Sequence, residues 1–228
     1  DPLLGTWVLK GKLAINGSDF FAKDPTVLEH NNNRYLIWSG WDTETPTGNT
    51  TVESLYIAKM DNPTTLSGVR TKISNPTASW ESYSVTVAGS TQTHFKNQNP
   101  EVIKNETGTV FLTFTSSGCE SDNLGIGLLK LTDGADPLQA SSWTKKPAPI
   151  FVSDDASTFG PGFNGFFKSQ DQKEHWLIYG ANRFPGEGCS DAKSLRIQKF
   201  TWNAAGEPEF GTPALLTDSL NRPTRSSY

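Results

Sequence analysis

Four strand-like runs that recur three times, an Asp-Pro string that recurs with them, and a composition rich in aromatic and turn-forming residues predict an all-β fold built of propeller blades. The string is Asp1-Pro2-Leu3-Leu4-Gly5-Thr6-Trp7; it returns as Asp136-Pro137-Leu138-Gln139-Ala140-Ser141-Ser142-Trp143 and, more weakly, as Asn62-Pro63-Thr64-Thr65-Leu66-Ser67-Gly68. In both later copies it closes a set of three runs and leads into a fourth, so the chain is expected to open within a repeat.

Each unit begins with a short apolar stretch: Thr26-Val27-Leu28-Glu29-His30, Glu101-Val102-Ile103-Lys104-Asn105, or Asn164-Gly165-Phe166-Phe167-Lys168-Ser169. Polar turns at 31–33, 106–108 and 170–173 lead to the second runs, Arg34-Tyr35-Leu36-Ile37-Trp38, Val110-Phe111-Leu112-Thr113-Phe114 and His175-Trp176-Leu177-Ile178-Tyr179. Aromatic and β-branched residues flanking a tight polar turn read as hairpins. After a longer loop come Leu55-Tyr56-Ile57-Ala58-Lys59-Met60, Ile126-Gly127-Leu128-Leu129-Lys130-Leu131 and Leu195-Arg196-Ile197-Gln198-Lys199-Phe200, each with a lysine in register. The fourth runs end near Ser74, Phe151 and Leu216. The period is roughly 65 to 75 residues, that of blades with enlarged loops. One domain over 1–228 is expected, with blades at 24–74, 98–152 and 162–217 and with 6–13 as the last strand of a preceding blade. A sandwich or barrel is the competing all-β architecture; the register of the lysines and of the Asp-Pro turns favours the propeller.

The 228 residues include 7 Trp, 13 Phe, 20 Gly, 14 Pro and a single Met, which suits a turn-rich β fold with a sizeable core. A net charge of -4 and no basic stripe argue against nucleic acid as a partner. No apolar run has the length of a membrane span, and a secreted protein is expected, any signal peptide lying upstream of Asp1. Three N-glycosylation sequons, at Asn16, Asn49 and Asn105, agree with secretion. Cys119 and Cys189 follow the second strands of neighbouring blades at comparable places, which allows a cross-blade disulfide; the alternative is two separate thiols. With no Cys-x-x-Cys pair and only His30, His94 and His175, no metal site is expected.

The strings from Ser18 to Val27 (Ser-Asp-Phe-Phe-Ala-Lys-Asp-Pro-Thr-Val), Tyr35 to Trp41 (Tyr-Leu-Ile-Trp-Ser-Gly-Trp) and Tyr56 to Met60 resemble glycoside hydrolase family 43, and so do Asn97-Gln98-Asn99-Pro100, Ser117-Gly118-Cys119, the string from Phe159 to Asn164 and that from Lys193 to Gln198. The likeness is greatest to the family's secreted, exo-acting α-L-arabinofuranosidases. It runs from the first residue to about Pro213, with the motifs in family order. It implies a five-bladed propeller of which the first blade and most of the second are absent here, an inverting glycosidase ancestry, and an arabinose-containing oligosaccharide or polysaccharide as ligand. Such an enzyme uses one carboxylic acid to protonate the leaving oxygen and one carboxylate to activate water. By resemblance the base lies upstream of Asp1, and Asp24 matches the residue that tunes the acid's pKa; a turn or cap residue before Pro25 is its plainer role.

The family's acid is the Glu of Asn-Glu-Gly-Pro, and this chain has Gln98 there. An amide has no proton to give at neutral pH. Glu101, three residues on, would substitute only if a local backbone shift brought it in, since a residue past the Pro on an inward strand normally points elsewhere. The family's Gly-Pro-Gly-His-Asn reads Gly160-Pro161-Gly162-Phe163-Asn164, and its Tyr-His-Ala-Asn reads Tyr179-Gly180-Ala181-Asn182, so Phe163 and Gly180 replace two imidazoles. The resemblance implies no organic cofactor, and Phe163 argues against the channel ion found in relatives. Trp41, Asn164, Asn182 and Arg196 are the expected substrate contacts, Trp41 being equally suited to simple packing. The site is therefore expected to be degenerate: a sugar-binding descendant of a glycosidase. Two alternatives stand beside it. One is an active arabinofuranosidase completed by a separate N-terminal segment. The other is a structural or protein-interaction propeller whose open blade edges a second copy covers.

Overall fold

The computed structural model describes residues 3–15, 20–44, 50–154 and 156–225. Strands β1 (Ala22–His30), β2 (Asn33–Gly40), β3 (Thr50–Asn62) and β4 (Thr65–Ser74) form an antiparallel meander. Asn31 and Asn32 make the first hairpin tight by taking φ 49° and 59°, the left-handed conformation that a two-residue turn needs and that Asn tolerates. Next come β5 (Ser82–Val87) and the long β6 (Ser90–Lys104), then β7 (Val110–Ser116), β8 (Gly125–Leu131) and the short β9 (Trp143–Lys145). The lower half of β6 pairs with β7, β7 with β8, and β8 with β9, giving the second meander. The third comprises β10 (Phe159–Lys168), β11 (His175–Asn182), β12 (Ser194–Trp202) and β13 (Pro208–Glu209).

The second blade buries both faces of β7 and β8, and strand alternation decides which side chain goes where. From β7, Leu112 and Phe114 enter a cluster with Leu28, Ile37, Leu55, Ile57 and Trp143, between the first and second blades. Phe111, one residue out of phase, joins Ile126, Leu128, Phe151, Tyr179, Phe200 and Phe210 between the second and third. Gly127 is required on β8, since a Cβ there would collide with the Phe114 ring.

Two expectations are corrected, and a third difference appears. The fourth run of the first blade is present as β4, ending at Ser74, but those of the second and third blades shrink to β9 and β13, with Phe151 reduced to an isolated bridge to Ile126. Pro147, Pro149 and Pro213 flank these stretches, and proline cannot donate to a ladder. Residues 6–13 form no strand: they pair with no ladder among the described residues, and a strand exists only through its neighbour's N–H and C=O groups. The third difference is an addition: the upper half of β6 pairs antiparallel with β5 and parallel with the start of β3, Thr50 to Glu53 against Thr93 to Lys96. This small three-stranded wall joins the first two blades.

Cys119 and Cys189 are bonded, closing a separation of 70 residues and tying the loop after β7 to the loop after β11. Asn105 accepts hydrogen bonds from Thr107 and Thr109 and donates to the Gly206 carbonyl, so this sequon residue clasps two blades; the Asn16 sequon, and Asn49 of the other, lie outside the described residues. Replacing both cysteines by serine should lower unfolding free energy by about 2–4 kcal/mol. A urea midpoint unchanged from wild type would show that the bond constrains little.

Candidate functional site

The first strand of every blade carries the same irregularity. Register slips between Lys23 and Thr26 in β1, between Gln98 and Glu101 in β6, and between Gly162 and Gly165 in β10. Within each slip one residue adopts left-handed φ: Asp24 at 53°, Asn99 at 49° and Phe163 at 53°. Asp and Asn accept this conformation locally, whereas Phe does so at a cost of about 1 kcal/mol or more. These bulges turn their side chains to one end of the strands, which becomes the mouth of the site. The blades are stitched together there: the Asn99 amide donates to Asp24 Oδ2 (3.3 Å), and the Phe163 amide donates to the Thr115 hydroxyl (2.8 Å), Thr115 being the β7 partner of Gln98.

Lys23 lies at the centre. Its Nζ donates to Gln98 Oε1 at 2.7 Å and pairs with Glu53 Oε1 at 3.0 Å and Asp24 Oδ2 at 3.5 Å. The Glu53 contact is an ion pair with a nearly buried carboxylate. At the other end of its amide Gln98 donates to the Ser117 carbonyl (2.9 Å). Gln98 and Glu53 are only 3% and 4% exposed, so both must find protein partners. Burial pushes the Glu53 carboxyl above its usual value, against the pull of Lys23 and Lys96.

Glu101 is half-buried one bulge deeper, where its carboxylate accepts from the Thr26 hydroxyl (3.3 Å) rather than from Lys23. Burial raises its pKa, the direction a general acid requires, but the bulge separates it from Gln98. Asn164 donates to Thr113 (2.8 Å) and Asn182 to the Gly188 carbonyl (2.9 Å), leaving each Oδ1 buried without a protein partner. Arg196 is 8% exposed, and its guanidinium is spread over Thr158, Ser194 and the Asn182 carbonyl, so it braces the rim from beneath. Phe163 stands exposed with the Lys193 ammonium 5.7 Å from its ring centroid. The Lys193 stem covers Gly180, filling the space that a side chain there would take.

Trp41 is half-buried. It packs on Phe21 with ring centroids 4.6 Å apart, and Arg70 holds its carbonyl (2.8 Å) while lying over Tyr56. Among the described residues one grouping of possible metal ligands occurs, Cys119, Glu120 and Cys189, but both sulfurs are spent in the disulfide. A cleft of 1160 Å³ lies at the opposite end among the hairpin turns near Asn31, Asn62 and Gly108, and holds none of these residues.

Sequence reasoning missed Lys23 and Glu53. The available signals were a lysine directly before the inward Asp24 and a lone carboxylate heading the apolar run Glu53-Ser54-Leu55-Tyr56-Ile57.

With this geometry in view, the family can be stated. The model for "Glycosyl hydrolases family 43" matches residues 1–208, and the chain belongs to that family. It is 38% identical to an extracellular exo-alpha-(1->5)-L-arabinofuranosidase of Streptomyces avermitilis, over all of this chain and 45% of that protein. It is 35% identical to alpha-L-arabinofuranosidase 43 of Humicola insolens, over 93% of this chain and 42% of that protein. The chain thus spans less than half the length of these relatives. Among solved structures, an alpha-L-arabinofuranosidase from Lactobacillus brevis superposes with a TM-score of 0.78 at 28% identity, over 93% of this chain and 62% of that one. A thermostable family-43 glycoside hydrolase (TM-score 0.72, 20% identity, 92% of this chain and 63% of that one) shares the fold. The three meanders are blades of the family's five-bladed propeller.

Because the folded pKa of Glu53 is raised above its unfolded value near 4.5, its contribution to stability is full below pH 4.5 and is lost as pH rises through the folded pKa. Stability of Glu53→Gln relative to wild type should therefore increase as pH rises above 4.5, a trend read from urea midpoints across pH; a flat or opposite trend would contradict the burial argument. Lys23→Met, which strands the Glu53 charge, should cost about 2 kcal/mol at neutral pH.

Proposed function

We propose that this chain is a secreted, glycosidase-derived module that binds arabinose-containing glycans at the mouth without cleaving them. The observation that carries this is Gln98. The side chain in the acid's place is an amide, held at one end by Lys23 and at the other by the Ser117 carbonyl. It has hydrogen-bonding capacity but no transferable proton. Asp24 sits beside it with a carboxylate for sugar hydroxyls, and Asn164 and Asn182 lie buried beneath as positioning residues. The Phe163 and Trp41 rings offer apolar surface to a sugar face. Arg196 acts as a positioning residue for Asn182 in this scheme. Secretion is supported by the disulfide and by the extracellular relative. None of the described helices is long and apolar enough to cross a membrane.

A second reading follows from coverage: since the chain matches less than half of its relatives, an N-terminal segment could supply a catalytic base and complete an active arabinofuranosidase. One experiment separates the two. In an NMR time course with α-1,5-arabino-oligosaccharides, ligand signals should broaden with no free arabinose accumulating. Release of arabinose would overturn the binding-only assignment and direct attention to Glu101; the absence of both signals would leave the structural or protein-interaction alternative.

A further inference from the structure

We propose that the face of β6 above Gln98 is a second binding stretch, one that holds the sugar units of an oligosaccharide beyond the terminal unit at the mouth. This rests on the reading that the mouth takes a glycan.

The upper half of β6 leads straight into the site. Along a strand alternate residues share a face, so Gln98, Lys96, His94 and Gln92 stand in one row. Six residues of strand span ~20 Å, room for several sugar rings. The flanking strands add to the same face. In register, Tyr83 and Val85 of β5 lie opposite His94 and Gln92, while Thr51 and Glu53 of β3 lie beside His94 and Lys96. That this face turns toward the mouth follows from Glu53, whose carboxylate reaches Lys23 and hence Gln98's own partner.

The chemistry of the row suits a neutral polyhydroxylated chain. His94 stacks on Tyr83 with ring centroids 4.9 Å apart, and its Nδ1 is held by the Thr51 hydroxyl, which fixes the ring. Lys96 lies 5.0 Å from the centre of the Tyr83 ring. Glycine is needed at Gly118, because any Cβ there would collide with Tyr83; this loop closes the flank of the wall. An amide, an imidazole and an ammonium in line supply donors and acceptors for hydroxyls, and ring edges supply contact for sugar C–H groups. Neither the core nor the cluster around Lys23 uses His94 or Gln92. They lie on the half-buried upper part of β6, in the wall that joins the first two blades.

The test is chain-length dependence. Affinities for arabinose, α-1,5-arabinobiose and α-1,5-arabinotriose are measured by titration calorimetry on wild type, His94→Ala and Gln92→Ala. Wild type should bind the trisaccharide at least tenfold more tightly than the monosaccharide, and each substitution should reduce that ratio three- to tenfold. Gln92→Ala, at the far end of the row from the core, guards against misfolding of the His94 variant. Equal affinity for all three sugars, or a length gain untouched by Gln92→Ala, would overturn this stretch while leaving the mouth intact. No binding of any sugar would overturn the mouth and this stretch together.

Discussion

One ammonium group joins the two halves of the site. Lys23 on the first blade holds Gln98 on the second, and it neutralises Glu53, a carboxylate buried in the wall that bridges both. A lone buried carboxylate would cost several kcal/mol, so the wall, the bulge at Asp24 and the amide at position 98 are arranged around this cation. The same contact fixes what the mouth can do. With Gln98 spanning from Lys23 to the Ser117 carbonyl, the mouth is ordered before any ligand arrives, and ordering beforehand is what makes a polar binding site economical in entropy.

The positions of these groups come from backbone geometry repeated blade by blade. Left-handed residues at 24, 99 and 163 re-aim the chain at the start of each innermost strand. Where the residue is Asp or Asn, the bend is inexpensive; at Phe163 the strained backbone presents an exposed ring in place of a polar group. The disulfide and Asn105 then lock blades at opposite ends, one among the mouth loops and the other at the hairpin turns.

Much of the fold was legible because the inner strands announce themselves. Runs such as Tyr35-Leu36-Ile37-Trp38 and Val110-Phe111-Leu112 combine β-forming side chains with a tight polar turn, and their burial matches that pattern. The wall as a whole was not legible. Ser82 to Val87 does alternate polar and apolar residues ahead of the Ala88-Gly89 turn, the mark of a hairpin, but the parallel pairing of β6 with β3 joins segments about 40 positions apart and has no local signal. The outermost strands of the second and third blades failed for a different reason: their apolar residues suggested ladders that the neighbouring prolines prevent.

At the site, the motif at 97–100 led directly to Gln98, and the inward Asp24 was read from its own string. The ion pair between Lys23 and Glu53 could not be read, since partners 30 positions apart meet only through the fold. Arg196 was expected at the ligand from the family resemblance; each of its three guanidinium nitrogens makes a hydrogen bond within the protein, to Ser194, Thr158 and the Asn182 carbonyl. The most direct test of the account is a crystal structure of the chain with α-1,5-arabinotriose bound. It should show an intact trisaccharide over Asp24 and Gln98, with Lys23 still bridging Gln98 and Glu53. A cleaved sugar, or a Lys23 swung away so that a carboxylate faces the glycosidic oxygen, would contradict it.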